Sequence, residues 1–158
     1  MNQKTWKGIR ICSYVALAFC LVWAVSMVAN FIVNVFGNAA SSHPIDWSQN
    51  TFMKVVVILC YVIGTIAMIG ICVKIVFNTL KGLRENIAFP RSNEKLMFWI
   101  ALADFVYLFG RADFPLLWEE NVVLQLSHTN FVSPFFLLFF AFMYKVAADA
   151  VEENNLTI

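Results

Sequence analysis

Four long apolar runs dominate this chain of 158 residues and leave few folds open to it. They cover residues 9–36, 52–77, 95–112 and 131–148, and an α-helix needs about 20 apolar residues to cross a bilayer. Hydrophobic residues make up 61% of the chain and charged residues 13%, whereas soluble domains average roughly 45–50% and about 25%. A single domain of this length cannot bury so much apolar surface. The sequence therefore predicts an all-α polytopic transmembrane four-helix bundle, formed as a single membrane domain.

The third run is the weakest of the four. It carries Asp104 near its middle, and Arg111 and Asp113 follow close to its end. A helix over residues 94–112 would be roughly 28 Å long at 1.5 Å per residue, which is just enough to span. A re-entrant or interfacial helix is the alternative. We expect a spanning helix, because the distribution of Lys and Arg fits four crossings.

The basic residues also indicate the orientation in the membrane. Lys and Arg are concentrated before the first run and in the connection 78–94, whereas the connections 37–51 and 113–130 contain none. Because cytoplasmic segments are enriched in Lys and Arg, we expect both termini and the 78–94 loop in the cytoplasm. Lys54 and Lys74, near the ends of the second run, are expected to extend their charges to the interface. The first run is far longer than the roughly 7–15 apolar residues of a cleaved signal peptide, so we expect it to be retained as an anchor.

Two short segments carry a family resemblance. One is 86–96, NIAFPRSNEKL, and the other is 152–158, EENNLTI. Together with four apolar runs, they resemble the DUF2975 family of small bacterial membrane proteins, in which a Phe, a polar stretch and an Asn open the third helix. Phe89 and Asn93 match this pattern, whereas Asn155 stands where the family usually has Asp. The resemblance implies a bacterial cytoplasmic membrane and a helix-turn-helix regulator as partner; the family has no established activity to carry over.

Polar residues inside the apolar runs form the first candidate site: Ser26, Asn30, Asn34, Asp104 and Arg111. The first three recur every four residues, so they share a helix face that must contact protein or water. An Asp within the bilayer costs about 2.5–3.5 kcal/mol on insertion scales, so such residues are usually paired with another polar group or functional. Arg111 lies about two turns from Asp104 on the same face. We expect an ion pair or a hydrogen-bonded link between helices; a proton or substrate site is the alternative.

Charged residues near the predicted inner ends of the helices form the second candidate site. They are Lys81, Arg84, Arg91 and Lys95 around the inner loop, and Glu152 and Glu153 after the last run. Asp149 adds to this acidic stretch. The stretch is either a solvated helix end or a docking segment for the basic loop or for a cytoplasmic partner.

The rest of the sequence does not indicate catalysis or a cofactor. The four cysteines have no CxxC spacing, and both histidines lie in the outer connections, which argues against thiol redox, haem and zinc chemistry. The net charge of +1 leaves no nucleic-acid footprint. We expect a non-enzymatic membrane protein that contacts lipid and binds either a cytoplasmic helix-turn-helix regulator or a second copy of itself. A small transporter or channel subunit using Asp104 and the polar stripe is the alternative.

Overall fold

The computed structural model describes residues 3–33, 45, 47–87, 89–118 and 131–156. Within these residues four α-helices follow one another: α1 is Gln3–Ile32, α2 is Thr51–Arg84, α3 is Glu94–Asp113 and α4 is Val132–Leu156. Two 3-10 turns, Arg91–Asn93 and Phe114–Trp118, flank α3. No strand occurs among the described residues. The all-helical class expected from the sequence is confirmed, while most of the α1–α2 and α3–α4 connections lies outside the described residues.

Three of the helices are long and apolar enough to cross a membrane. They contain the segments Thr5–Ala29, Thr51–Arg84 and Val132–Glu153. The helix α3 is not among them, because five of its 20 residues are charged. Both α2 and α4 continue about two turns beyond the inner ends predicted at residues 77 and 148. The chain is therefore a helical protein with membrane-spanning character in α1, α2 and α4.

The end of α2 is set by a residue in the left-handed region. Asn86 has a φ of 59°, and the N–H of Ile87 donates to the carbonyl oxygen of Gly82 at 2.8 Å. This bond satisfies one of the carbonyl groups that a helix leaves without a partner at its C-terminus. Pro90 follows and cannot continue a helix. The connection is short, and α3 returns beside α2.

The helices α2 and α3 pack against each other with a seven-residue pattern. The α2 positions are Tyr61, Gly64, Met68, Ile71, Ile75 and Asn78. The opposing positions are Asn93, directly before α3, and Ile100, Ala103, Tyr107 and Gly110 within it. Alternating steps of three and four residues are typical of coiled coils. Asn78 contacts Asn93 at one end, and Tyr61 contacts Gly110 at the other. The two helices therefore run antiparallel in one register over about 26 Å.

Two glycines allow the backbones of α2 and α3 to approach closely. A Cβ atom on Gly64 would lie 2.6 Å from the Cα of Tyr107, and one on Gly110 would lie 2.6 Å from the Cα of Tyr61. The two tyrosine rings lie 6.0 Å apart between their centroids. Small residues that admit the opposite backbone are a common feature of membrane helix interfaces.

The other two helices flank this pair. The main contacts join α1 to α2, α2 to α3 and α3 to α4. The hydroxyl of Tyr61 donates to the sulfur of Met27 on α1 at 3.4 Å, and Trp23 meets the edge of the Tyr107 ring at 6.0 Å. Phe98 of α3 packs edge-on against Phe142 of α4 at 5.1 Å. Among the described residues α2 and α3 form the central pair, with α1 packed mainly on α2 and α4 packed on α3.

Candidate functional site

The carboxyl group of Asp104 faces α4. The side chain is 5% exposed, and the hydroxyl of Ser133 donates a hydrogen bond to its Oδ2 at 2.6 Å. Ser133 lies in the first turn of α4. The first backbone N–H groups of a helix lack partners within the helix and favour a nearby negative charge. The start of α4 therefore supplies both a hydroxyl donor and a favourable dipole to Asp104.

Arg111 does not pair with Asp104, so the ion pair expected from the sequence is wrong. Its side chain is exposed, and its guanidinium carbon lies 6.0 Å from the centroid of the Tyr107 ring, within the range of a cation–π contact. Two helical turns, about 10 Å, separate Arg111 from Asp104 along α3, whereas Ser133 approaches directly from α4. The structure contains the other expected form, a hydrogen-bonded link between helices.

The polar stripe expected along α1 is only partly described. Ser26 is exposed on α1, beside Met27, which faces α2. The side chain of Asn30 and the whole of Asn34 lie outside the described residues. Among the described residues no hydrogen bond or ion pair joins Ser26 to Asp104, whose carboxyl group accepts a hydrogen bond from Ser133 of α4. The described part of the chain therefore does not bring Ser26 and Asp104 together.

Two charged residues are fully buried, one near the start of α2 and one at the end of α3. Their burial was not among the predictions made from the sequence. Lys54 and Asp113 both have 0% exposure, although Lys54 was expected to extend to the interface. They adjoin an apolar cluster of Val57, Phe114 and Leu117. The sequence does contain a feature that predicts the burial of Lys54. Lys54 precedes Tyr61 by seven residues and so continues the seven-residue pattern of the α2 interface.

Asn93 links the start of α3 to α2. It is fully buried, and its amide nitrogen donates to the carbonyl oxygen of Ile75 at 3.2 Å and to Thr79 Oγ1 at 3.0 Å. Its side-chain oxygen accepts a hydrogen bond from Asn78 at 2.9 Å. The side chain therefore does not cap α3, despite its position directly before the helix. It fixes the register of the helix pair at this end.

Arg91 joins the α2–α3 loop, which the sequence predicts to lie on the inner side, to the end of α4. Its Nε donates to Glu152 Oε2 at 2.8 Å, and its Nη2 donates to Asp149 Oδ1 at 3.0 Å and also contacts Glu152. Glu94 lies 3.8 Å from Arg91 and 3.9 Å from Lys145. Hydrogen bonding to Glu152 raises the pKa of Arg91 above its ordinary value. We call these five residues the inner ion cluster.

The remaining residues of the second candidate site lie outside the inner ion cluster. Lys81 is 4.0 Å from Glu85, the residue directly after α2. Arg84, Lys95 and Glu153 are exposed. The structure therefore divides the predicted set: Arg91 and Glu152 bind each other, and the other four residues stay on the surface.

No set of three His, Cys, Asp or Glu side chains among the described residues could hold a metal ion. The four cysteines are free thiols. Comparison of the chain with protein-family models, with curated proteins and with solved structures found no match. A functional proposal therefore depends on the contacts between the helices and on the charges at their ends.

Proposed function

We propose that this chain is a membrane protein that crosses the bilayer four times, keeps both termini in the cytoplasm and binds another protein at its inner end without catalysing a reaction. The observation that carries the proposal is the inner ion cluster. Asp149 and Glu152, which follow Arg91 by 58 and 61 positions in the sequence, both bind its guanidinium group. The inner end therefore presents charges at fixed positions. Fixed charges of both signs on a surface give a partner its orientation and specificity.

The contact between α2 and α3 supports α3 as the fourth crossing. The helix α2 is long enough to span a bilayer, and α3 lies beside it from Asn93 to Gly110. That length, about 26 Å, approaches the about 30 Å of the hydrocarbon core. A helix packed along a spanning helix shares its depth in the membrane. The charge of Asp104 is tolerable there, because it faces α4 instead of lipid.

The position of the cations supports the cytoplasmic assignment of both termini. The start of α1 lies beside the end of α2, where Thr5 and Gly8 border a groove with Val76 and Thr79. Exposed cations cluster at this end of the helices, namely Lys7, Arg10, Lys81, Arg84, Arg91 and Lys95. The excess of Lys and Arg on cytoplasmic segments then assigns this end to the cytoplasm.

The partner chemistry follows from the exposed charges. The side chains of Arg91, Asp149 and Glu152 are between 42% and 58% exposed, so a partner can reach them. A helix-turn-helix regulator, implied by the resemblance, and a second copy of this chain are the two partners that we propose. Apolar side chains cover the outside of α1 and α4, as with Phe19 and Phe139, and are suited to lipid.

Photo-crosslinking in intact membranes tests the protein-binding proposal. A photoreactive residue at Arg84 or Lys95 should give a discrete adduct, either with one cytoplasmic protein or with a second copy of the chain. The same probe at Phe19, on the apolar surface of α1, is the control and should give no cytoplasmic adduct. Arg91→Glu should reduce the adduct, because it reverses the charge at the centre of the inner ion cluster. An adduct pattern that is the same at all three positions would contradict the proposal.

A transporter or channel subunit is the second candidate, favoured by the buried carboxyl group of Asp104 in the middle of α3. Ion and proton fluxes in reconstituted vesicles test it. Asp104→Asn keeps the side-chain size and removes the charge, so it should abolish any flux that depends on the carboxyl group. A flux lost in Asp104→Asn, with an unchanged unfolding temperature, would favour this candidate over protein binding.

A further inference from the structure

An apolar groove runs along the surface between α2 and α3. Its walls include Ile63, Ala67 and Ile71 from α2 and Trp99, Leu102 and Val106 from α3, and its volume is about 180 Å³. Ile63, Trp99 and Leu102 are each more than half exposed. The groove therefore opens away from the protein, toward the surrounding bilayer.

Helical spacing places two lysines about one turn beyond the end of this groove that is nearer the α2–α3 loop. Lys74 follows Ile71 by three residues on α2, and Lys95 precedes Trp99 by four residues on α3, so each shares the face of a wall residue about one turn away. Both lysines are exposed. In the register that pairs Asn78 with Asn93, the positions of Lys74 and Lys95 along the helix axes differ by about 3 Å.

Neither lysine forms an ion pair with another described residue. The groove between α3 and α4 is larger, about 410 Å³, and is lined by phenylalanines such as Phe98 and Phe105. Lys145, the cation at the inner end of α4, is already 3.9 Å from Glu94. Of these two grooves, the one between α2 and α3 therefore combines apolar walls with cations that no described acid neutralises.

We propose that the α2–α3 groove binds an anionic phospholipid of the inner leaflet, with an acyl chain along Trp99 and the phosphate between Lys74 and Lys95. The cytoplasmic leaflet carries negative charge, and basic pockets between membrane helices on that side bind lipid headgroups. The long apolar stems of lysine bring the ammonium groups to the depth of the phosphates. This inference uses the orientation given under the proposed function but needs no protein partner.

Native mass spectrometry of the full chain in mild detergent tests the inference, with phosphatidylglycerol and phosphatidylcholine of identical acyl chains as probes. The wild type should retain phosphatidylglycerol preferentially. Lys74→Gln/Lys95→Gln should reduce that retention by up to about thirty-fold, because two lysines near an anionic headgroup contribute about 2 kcal/mol and about 1.4 kcal/mol is a factor of ten. Both side chains are exposed, so the unfolding temperature should change little.

Matched variants separate a lipid site from a general effect of charge. Lys7→Gln/Arg10→Gln removes the same charge from α1, away from the groove, and should keep the preference for phosphatidylglycerol. Lys74→Arg/Lys95→Arg keeps the charge in place and should also keep it. The inference is overturned if the wild type retains both lipids equally, or if Lys74→Gln/Lys95→Gln still prefers phosphatidylglycerol. Because detergent removes sidedness and partners, failure of the protein-binding proposal would leave this result unaffected.

Discussion

At the scale of single residues, the described donor to the Asp104 carboxyl group is the hydroxyl of Ser133 on another helix. Ser133→Ala should lower the free energy of unfolding by about 1–3 kcal/mol, because a buried acceptor loses its hydrogen bond. Thermal unfolding in mild detergent measures the change. Ser26→Ala is the control, since Ser26 is exposed on α1, and its effect should stay within about 0.5 kcal/mol. Equal effects of the two substitutions would contradict the link between helices.

A double-mutant cycle at the same scale distinguishes Ser133 from Arg111 as the partner of Asp104. The effects of Asp104→Ala and Arg111→Ala should add to within about 0.5 kcal/mol, because the two side chains do not contact each other. Asp104→Ala and Ser133→Ala share one hydrogen bond, so together they should cost less than the sum of the two single changes. Coupling between Asp104 and Arg111 would instead favour the ion pair that the sequence suggested.

At the scale of helices, the close approach of α2 and α3 depends on Gly64 and Gly110. Gly64→Ala or Gly110→Ala should destabilise the protein by about 1–3 kcal/mol or more, because the added methyl group would meet the backbone of the opposite helix. Gly70→Ala is the matched control: it lies on α2, and a Cβ there meets nothing within 4 Å. Unfolding in detergent compares the three variants. If all three behave alike, the two helices are not in close contact at the glycines.

The contact of Arg91 with Asp149 and Glu152 also acts at the scale of helices, because it joins the inner loop to α4. Arg91→Glu should speed hydrogen exchange in residues 149–156, because the cation that holds Asp149 and Glu152 is replaced by an anion. The exchanged pair Arg91→Glu/Glu152→Arg should restore part of the protection. Arg84→Glu, at an exposed position on α2 outside the inner ion cluster, is the control and should leave exchange unchanged. Added salt should weaken this exposed contact as well.

The pH dependence of this contact follows from the raised pKa of Arg91. A cation whose pKa is raised in the folded state keeps its stabilising effect below the unfolded value and loses it only when the pH rises through the folded value. Arg91 therefore stays charged from about pH 7 to about pH 9. Hydrogen exchange in α4, corrected for its intrinsic pH dependence, should show no loosening over that range. Loosening over that range would show that a group other than Arg91 controls exchange in α4.

At the scale of the whole molecule, the number of crossings can be tested by thiol labelling in intact cells. In a background without native cysteines, Arg84→Cys and Asn154→Cys should be shielded from an impermeant reagent, and Ser42→Cys and Glu120→Cys should be labelled. If α3 does not cross, Glu120→Cys should be shielded like Arg84→Cys while Ser42→Cys is still labelled. Labelling at Arg84→Cys with shielding at Ser42→Cys would reverse the proposed orientation.

The sequence by itself determined the helical class and the approximate bounds of the four described helices. A chain in lipid must satisfy its backbone hydrogen bonds internally, so long apolar runs become helices whatever their neighbours are. The tertiary structure decided which side chains meet. Ser133 reaches Asp104 across 29 residues, and Glu152 reaches Arg91 across 61, because these contacts depend on the rotation and register of packed helices. The seven-residue pattern of α2 is compatible with several registers, and the contacts of Gly110 with Tyr61, Gly64 with Tyr107 and Asn93 with Asn78 fix the one that forms.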